Sequence, residues 1–303
     1  NKINPFLKVT VSKNHDNNYK LAKEIFLSEY EKRLRSDVPI SFCLSGGIDS
    51  SALVSIAKKE FNLNPYCFSI ISEDLRYNEF ENINFLKKKL DLNVKFIKIP
   101  KLSLENFVEN CKKLINYRCS PISTISYYIH SYISKACSDK NFKVIMSGTG
   151  ADEIFTGYYD HTLFYLNEIK DDNKYKDELT LWKKFTQPKI RNPILDLKNF
   201  QTNPYLRDHL YNDIKSMNEI FNIKKYNKFS EINYDRNNLK NRMKNELFHE
   251  SVPVILFEDD SNSMMHSIEN RSPFLSINLV NFINSLNVEL YMDKGYTKNI
   301  LRK

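Results

Sequence analysis

The string Leu44-Ser45-Gly46-Gly47-Ile48-Asp49-Ser50-Ser51 is the first place where residue types and spacing suit chemistry. Two adjacent glycines let the backbone turn tightly and bring several N–H groups toward one point. A helix starting near Asp49 aims the positive end of its dipole at the same point. Ser45 and Ser50 add hydroxyl donors. The result is a cradle for a polyphosphate anion. Asp49 would repel a bare phosphate, and makes sense if Mg²⁺ sits between the two. The competing reading is an ordinary Gly-Gly turn with Asp49 capping the helix. A strand before the string and a helix after it speak against that. No Lys follows the glycines, so this is not a Walker A loop.

A second string runs Ser147-Gly148-Thr149-Gly150-Ala151-Asp152-Glu153-Ile154-Phe155-Thr156-Gly157-Tyr158. Three of the chain's six glycines fall here and two in the first string, a concentration that packing alone does not explain. Asp152 would complete a two-aspartate Mg²⁺ site with Asp49. The plainer reading is a helix N-terminus capped by Asp152 and Glu153.

The elements that must position these strings follow from periodicity. The first ten residues read as irregular, and Tyr19 to Arg35 as an amphipathic helix. Strands are expected at Val38–Leu44, Pro65–Ile71, Val94–Ile99 (closed by Pro100) and Phe142–Met146. Helices are expected at Asp49–Phe61, Glu79–Leu90, Leu104–Tyr117 and Ile122–Ser138. Strands alternating with helices predict a parallel α/β sheet flanked by helices. Ligands in such sheets sit at the carboxyl ends of the strands, where both Ser-Gly turns fall. From Tyr159 onward the pattern is helical, with an exposed loop at 171–176.

Composition narrows the class. The 303 residues contain no 20-residue apolar run to span a membrane. Eighteen Tyr and 20 Phe supply core material and argue against disorder. The net charge of +8 is scattered and forms no long basic block, so it does not by itself point to nucleic acid. Five Cys without a CxxC pair read as reduced, buried thiols of a cytoplasmic protein. No signal peptide opens the chain.

The first string resembles the PP-loop of the ATP pyrophosphatases, which cleave ATP between the α- and β-phosphates. With the second string, the chain resembles the synthetase domain of the asparagine synthetase family, and two later segments extend the likeness. Ser263-Met264-Met265-His266-Ser267-Ile268-Glu269-Asn270-Arg271-Ser272-Pro273-Phe274-Leu275-Ser276 matches the family's Ser-Met-Ala-x-Ser-x-Glu-x-Arg-x-Pro-Phe-Leu-Asp. Gly295-Tyr296-Thr297-Lys298-Asn299-Ile300-Leu301-Arg302 matches its Gly-x-x-Lys-x-x-Leu-Arg. The resemblance implies an adenine nucleotide alpha hydrolase-like fold with a mainly helical C-terminal part. Residues 1–36 would be a linker and helix leading from an upstream glutaminase domain, and 37–303 the ATP-pyrophosphatase domain, trimmed at its C-terminus. Because the chain starts at Asn1, it reads as a segment cut from a longer protein.

The implied chemistry is amidation of a carboxylate through an acyl-adenylate: aspartate to asparagine, with ammonia from glutamine and release of AMP and pyrophosphate. ATP and Mg²⁺ are the implied cofactors. Ser45, Gly46, Gly47, Asp49 and Ser50 would hold the phosphates, with Leu44 and Ile70 flanking the adenosine. Ser147 and Gly148 would approach the nucleotide, and Asp49 and Asp152 would bind the metal. Lys298 would neutralise charge at the transition state. Glu269 and Arg271 would lie beside the substrate, or form a structural pair.

The chain also departs from the family. Thr149 stands where the family has Glu, Ser261-Asn262 replaces the usual Arg after Asp260, and Ser276 replaces the Asp after Pro-Phe-Leu. Phosphate and metal positions are intact while acceptor positions have changed. A different carboxylate therefore stands as the alternative, such as a sugar uronic acid in surface polysaccharide biosynthesis. A tRNA-modifying PP-loop enzyme and a non-catalytic ATP-binding module are the remaining readings. The expected partners are a small carboxylate and a glutaminase domain, with no nucleic acid or membrane. A homodimer stays open.

Overall fold

Four of the five strands of the single parallel sheet lie where hydrophobic runs end against polar loops. The computed structural model describes residues 11–72, 74, 78–99, 103–203, 205, 207, 210 and 230–303. The first ten residues and Pro100 lie outside these. The strands are β1 (Ile40–Cys43), β2 (Tyr66–Ile71), β3 (Asn93–Lys98), β4 (Val144–Met146) and β5 (Glu269–Arg271). Their order in the sheet is β3-β2-β1-β4-β5, all parallel. This is the parallel α/β architecture that the alternation of elements predicts.

The chain divides into two compact units. The sheet unit comprises Lys20–Ala151 and Ser251–Val280. It contains α2 (Ile48–Lys59), α3 (Phe80–Leu90), α4 (Leu104–Arg118), α5 (Ile125–Asp139) and α11 (Ser251–Met264), with most of α1 (His15–Leu34). Its core joins Phe68, Ile97, Cys137, Ile145 and Ile268. Ser41, buried within β1, donates its hydroxyl to the Val144 carbonyl at 2.9 Å, which satisfies a polar group that would otherwise be costly there.

β5 departs from the helical pattern expected after Tyr159. Its Glu-Asn-Arg carries no hydrophobic run to announce a strand. Buried Ile268 anchors it, and backbone bonds from Glu269 N to the Lys143 carbonyl and from Ser147 N to the Arg271 carbonyl fix its register. The thiols also differ from expectation. All five Cys are free, but only Cys67 and Cys137 are buried, and Cys119 is exposed at the left-handed C-terminus of α4.

The helical unit comprises Asp152–Glu250, Asn281–Lys303 and the segment up to Tyr19. Its elements include α7 (Tyr159–Glu168), α8 (Tyr175–Phe185), α9 (Leu197–Thr202), α10 (Asn238–Phe248) and α13 (Asn299–Arg302). The short α6 (Ala151–Phe155) and α12 (Ile277–Ser285) each straddle the division. Phe164 meets Phe200 edge-on, and Trp182 donates its indole N–H to Thr162 at 2.8 Å.

Beneath α7 and α10 lies a charge network around Arg242, which is 2% exposed. Its guanidinium pairs with Glu246 at 3.0 Å, Glu231 at 3.1 Å, Glu250 at 2.6 Å and Asp160 at 3.4 Å. Asp160, His161 and Glu246 bring potential ligand atoms within 4.8 Å of one another. Arg242 already pairs with both carboxylates, so the cluster is a charge network holding two helices together. Arg242→Leu leaves buried carboxylates without their cation and should cost about 3–5 kcal/mol. The expected result is a clear drop in the thermal unfolding midpoint, while an unchanged midpoint would refute the network's role.

Candidate active site at the carboxyl ends of β1 and β4

The first loop is pre-shaped by its own hydrogen bonds. Ser50, 5% exposed, accepts from the Ser45 amide at 3.0 Å and donates to the Gly47 carbonyl at 3.3 Å. The Ser45 hydroxyl lies 3.0 Å from Ser50 Oγ and accepts from the Gly47 amide at 3.2 Å. Ser50 is thus a brace within the loop, while Ser45 lies at the surface. Gly46 takes φ +82°, a conformation side chains rarely adopt. Gly47 precedes α2 with extended backbone and offers no side-chain cap. A 12-residue helix that starts from a Gly without a side-chain cap is an arrangement suited to an anion.

The second loop meets the first at Gly148. A Cβ built there would lie 3.0 Å from Asp49 Cβ and 3.2 Å from the Ser50 amide nitrogen. A side chain there would crowd the start of α2, so the two sequence strings converge on one another. Leu44 is buried at the end of β1, and Ile70 is half-buried near the end of β2. Both lie at the carboxyl ends of these strands.

Ser147 is 8% exposed and its hydroxyl lies 3.0 Å from that of Thr149. Thr149 in turn donates to Asp259 Oδ2 on α11 at 2.9 Å. Asp259 had no place among the candidate residues. In the sequence it is one of several acidic residues on a helix, and only the packing of α11 against α5 reveals its direction.

Asp152, at the start of the helical unit, pairs with Lys298 at 2.5 Å. The Lys298 side chain is 9% exposed and its backbone takes φ +55° ahead of α13. A Cβ at Gly157 would sit 1.6 Å from Asp152 Oδ1, so Gly157 is required for Asp152 to take this position. Two widely separated candidate residues are thereby brought together. Glu153, beside Asp152, turns inward and accepts from the Tyr158 hydroxyl at 2.5 Å. Burial raises its carboxyl to about 7, against which the Tyr158 bond works.

Glu269 and Arg271, left between two roles by the sequence, form a pair at 2.7 Å. Arg271 also donates to the carbonyls of Arg33 and Arg35 at 2.7 and 2.8 Å, tying β5 to the end of α1. Ser276 is buried and accepts from the Leu279 amide, starting α12.

The oxygen-only side chains of Asp49 and Asp152 are the donor type that Mg²⁺ prefers. No helix among the described residues is long and apolar enough to cross a membrane.

The architecture defines an α/β protein with a five-stranded parallel sheet and a Gly-rich loop after its first strand. The chain belongs to the asparagine synthase family: the family's sequence profile, described as Asparagine synthase, matches residues 23–303. It is 32% identical over 143 residues to asparagine synthetase (glutamine-hydrolyzing) 1 of Bacillus subtilis, covering 46% of this chain and 22% of that protein. It is 29% identical over 196 residues to putative asparagine synthetase (glutamine-hydrolyzing) 1 of Methanocaldococcus jannaschii, covering 60% of this chain and 34% of that protein. The match therefore spans a fifth to a third of these relatives' length. Among solved structures, a U34-tRNA thiolase, NcsA, from Methanococcus maripaludis is similar at TM-score 0.36 and 12% identity, covering 83% of this chain and 82% of that one. That likeness is too distant to carry an argument.

Glu153 generates a pH prediction. Its folded-state carboxyl is raised from 4.5 to about 7, so the native state holds a proton that the unfolded chain has already released. Stability from this group is full below pH 4.5 and is lost as pH rises to about 7, by roughly 3 kcal/mol in all. Glu153→Gln should flatten that slope and be the more stable form at pH 8. Parallel pH–stability curves for the two proteins would contradict this.

Proposed function

We propose that the chain is the synthetase part of an ATP-dependent amide ligase. A carboxylate oxygen attacks the α-phosphorus of ATP, pyrophosphate leaves, and ammonia then displaces AMP from the acyl-adenylate. Adenylation is required because a carboxylate is a poor electrophile and hydroxide a poor leaving group. The observation that carries this reading is the convergence of the two loops at Gly148 and Asp49 in a chain of this family.

In this reading each part takes the following role. Amides of the first loop and of the α2 N-terminus hold the phosphates, with Ser45 at the surface and Ser50 fixing the loop. Leu44 and Ile70 flank the adenosine. Asp49 and Asp152 serve as Mg²⁺ ligands; the ion, when bound, supplies positive charge to the departing pyrophosphate. Lys298, oriented by Asp152, supplies a second, fixed cation for that charge. Ammonia comes from glutamine through a glutaminase domain of the full-length protein, in the cytoplasm.

Aspartate is the acceptor implied by the family. A second reading rests on the hydroxyls at the end of β4. Ser147, Thr149 and Ser272 cluster there, with Ser147 Oγ 3.0 Å from Thr149 Oγ1 and 3.5 Å from Ser272 Oγ. Such a surface suits a hydroxylated acid, such as a sugar uronic acid.

The test is pyrophosphate release with ATP, Mg²⁺ and ammonium across a panel of acids, aspartate and glucuronate first. Release that depends on one of these acids supports the ligase reading, and release that none of them stimulates sinks it. Asp49→Asn and Asp152→Asn should each lose several kcal/mol of transition-state stabilisation, roughly 100-fold or more in rate. Near-wild-type release by either variant at saturating Mg²⁺ would remove that residue from the metal site.

A further inference from the structure

We infer that Ser147, Thr149 and Asp259 form a proton-accepting relay that serves the amide-forming step, with His130 as its outlet to solvent. The inference rests on the ligase reading above and assigns a role to residues on α5 and α11 that no sequence motif marks.

Hydrogen-bond counting fixes the direction of the relay. Thr149 has one hydroxyl proton, and an ionised carboxylate can only accept. The Thr149 proton therefore goes to Asp259 Oδ2 at 2.9 Å. Thr149 Oγ1 must then accept from Ser147, whose hydroxyl lies 3.0 Å away. Ser147 is left with lone pairs to receive a proton at the carboxyl end of β4. The other oxygen of the carboxylate, Asp259 Oδ1, faces His130 Nδ1 at 3.6 Å. The Asp259 side chain is 11% exposed and that of His130 is 50% exposed, so the chain of groups runs from the loop to solvent.

The step balances as follows. The ammonia nitrogen forms a bond to the acyl carbon, and the carbon–oxygen bond to AMP breaks, with the electron pair leaving on AMP. The excess N–H proton passes to Ser147 Oγ. The Ser147 proton moves to Thr149, and the Thr149 proton to Asp259, which becomes a neutral acid. Asp259 then releases its proton through His130 to water. Ser147 is the group that meets the substrate. Asp259 acts through Thr149 and is a positioning residue and proton store. Proton transfer along this relay is called on only after the acyl-adenylate has formed, so its loss should weigh more heavily on amide formation than on adenylation.

The experiment uses the whole chain with aspartate, or glucuronate where aspartate supports no exchange. Two rates are compared: acid-dependent ATP–pyrophosphate exchange, which reads adenylation, and amide formation from ammonium. Asp259→Asn and Thr149→Val should lower amide formation about 100-fold, the scale of general base catalysis, and at least ten times more than they lower exchange. Thr149→Ser keeps the hydroxyl and should retain most amide formation. Equal losses in both rates, or Thr149→Val matching the wild type, would overturn the relay. A wild-type chain that supports no exchange with any acid of the panel overturns the ligase reading and the relay with it, which separates that failure from one confined to the variants.

Discussion

The pairing of β1 with β4 is the constraint on which the sheet-borne part of the site depends. Ile40, Ser41 and Phe42 lie in register with Val144, Ile145 and Met146, roughly a hundred residues later in the chain. Parallel strands carry their loops at the same edge, so this register sets both Gly-rich strings side by side. The approach at Gly148 follows directly, because any side chain there would press on Asp49. Both strands are short; β4 is buried throughout and β1 at its two middle residues. Burial from both faces, rather than length, holds them in register.

A second constraint acts in the helical unit. An amine as buried as that of Lys298 needs a partner, and Asp152 provides it. That contact depends on Gly157 leaving space beside Asp152. It also needs the left-handed backbone at Lys298 that turns the chain into α13. The family's final segment is thus placed by a residue of its second string. In the same unit, the Arg242 network couples α7 to α10 through charge, where a smaller apolar contact would do less to fix direction.

Much of this was legible in the sequence. The first four strands and their helices appeared within a few residues, because each hydrophobic run stops at a turn. The two loops stand out by residue type and spacing, and Lys298 by the resemblance to the family. What escaped depends on contacts between distant segments. β5 has too few apolar residues to announce a strand, and gains its place from Ile268 and from the backbone of its neighbours. Glu269 and Arg271 looked equally suited to a substrate and to one another, and only the proximity of the α1 C-terminus shows what Arg271 holds. Asp259 gave no signal at all. Its direction is set by the docking of α11, whose Asn262 donates to the Tyr127 carbonyl of α5 at 2.8 Å and whose Glu258 accepts from Ser123.

The central claim is that the chain activates a carboxylate by transferring it to the α-phosphate of ATP. The most direct test follows oxygen from the acid. An acid labelled with oxygen-18 in its carboxylate, chosen as one that supports pyrophosphate release, is turned over with ATP and ammonium. Adenylation requires one labelled oxygen to leave with AMP for each amide formed, and mass spectrometry of the nucleotide should find it there. Unlabelled AMP, or label recovered in phosphate alongside ADP, would contradict the account.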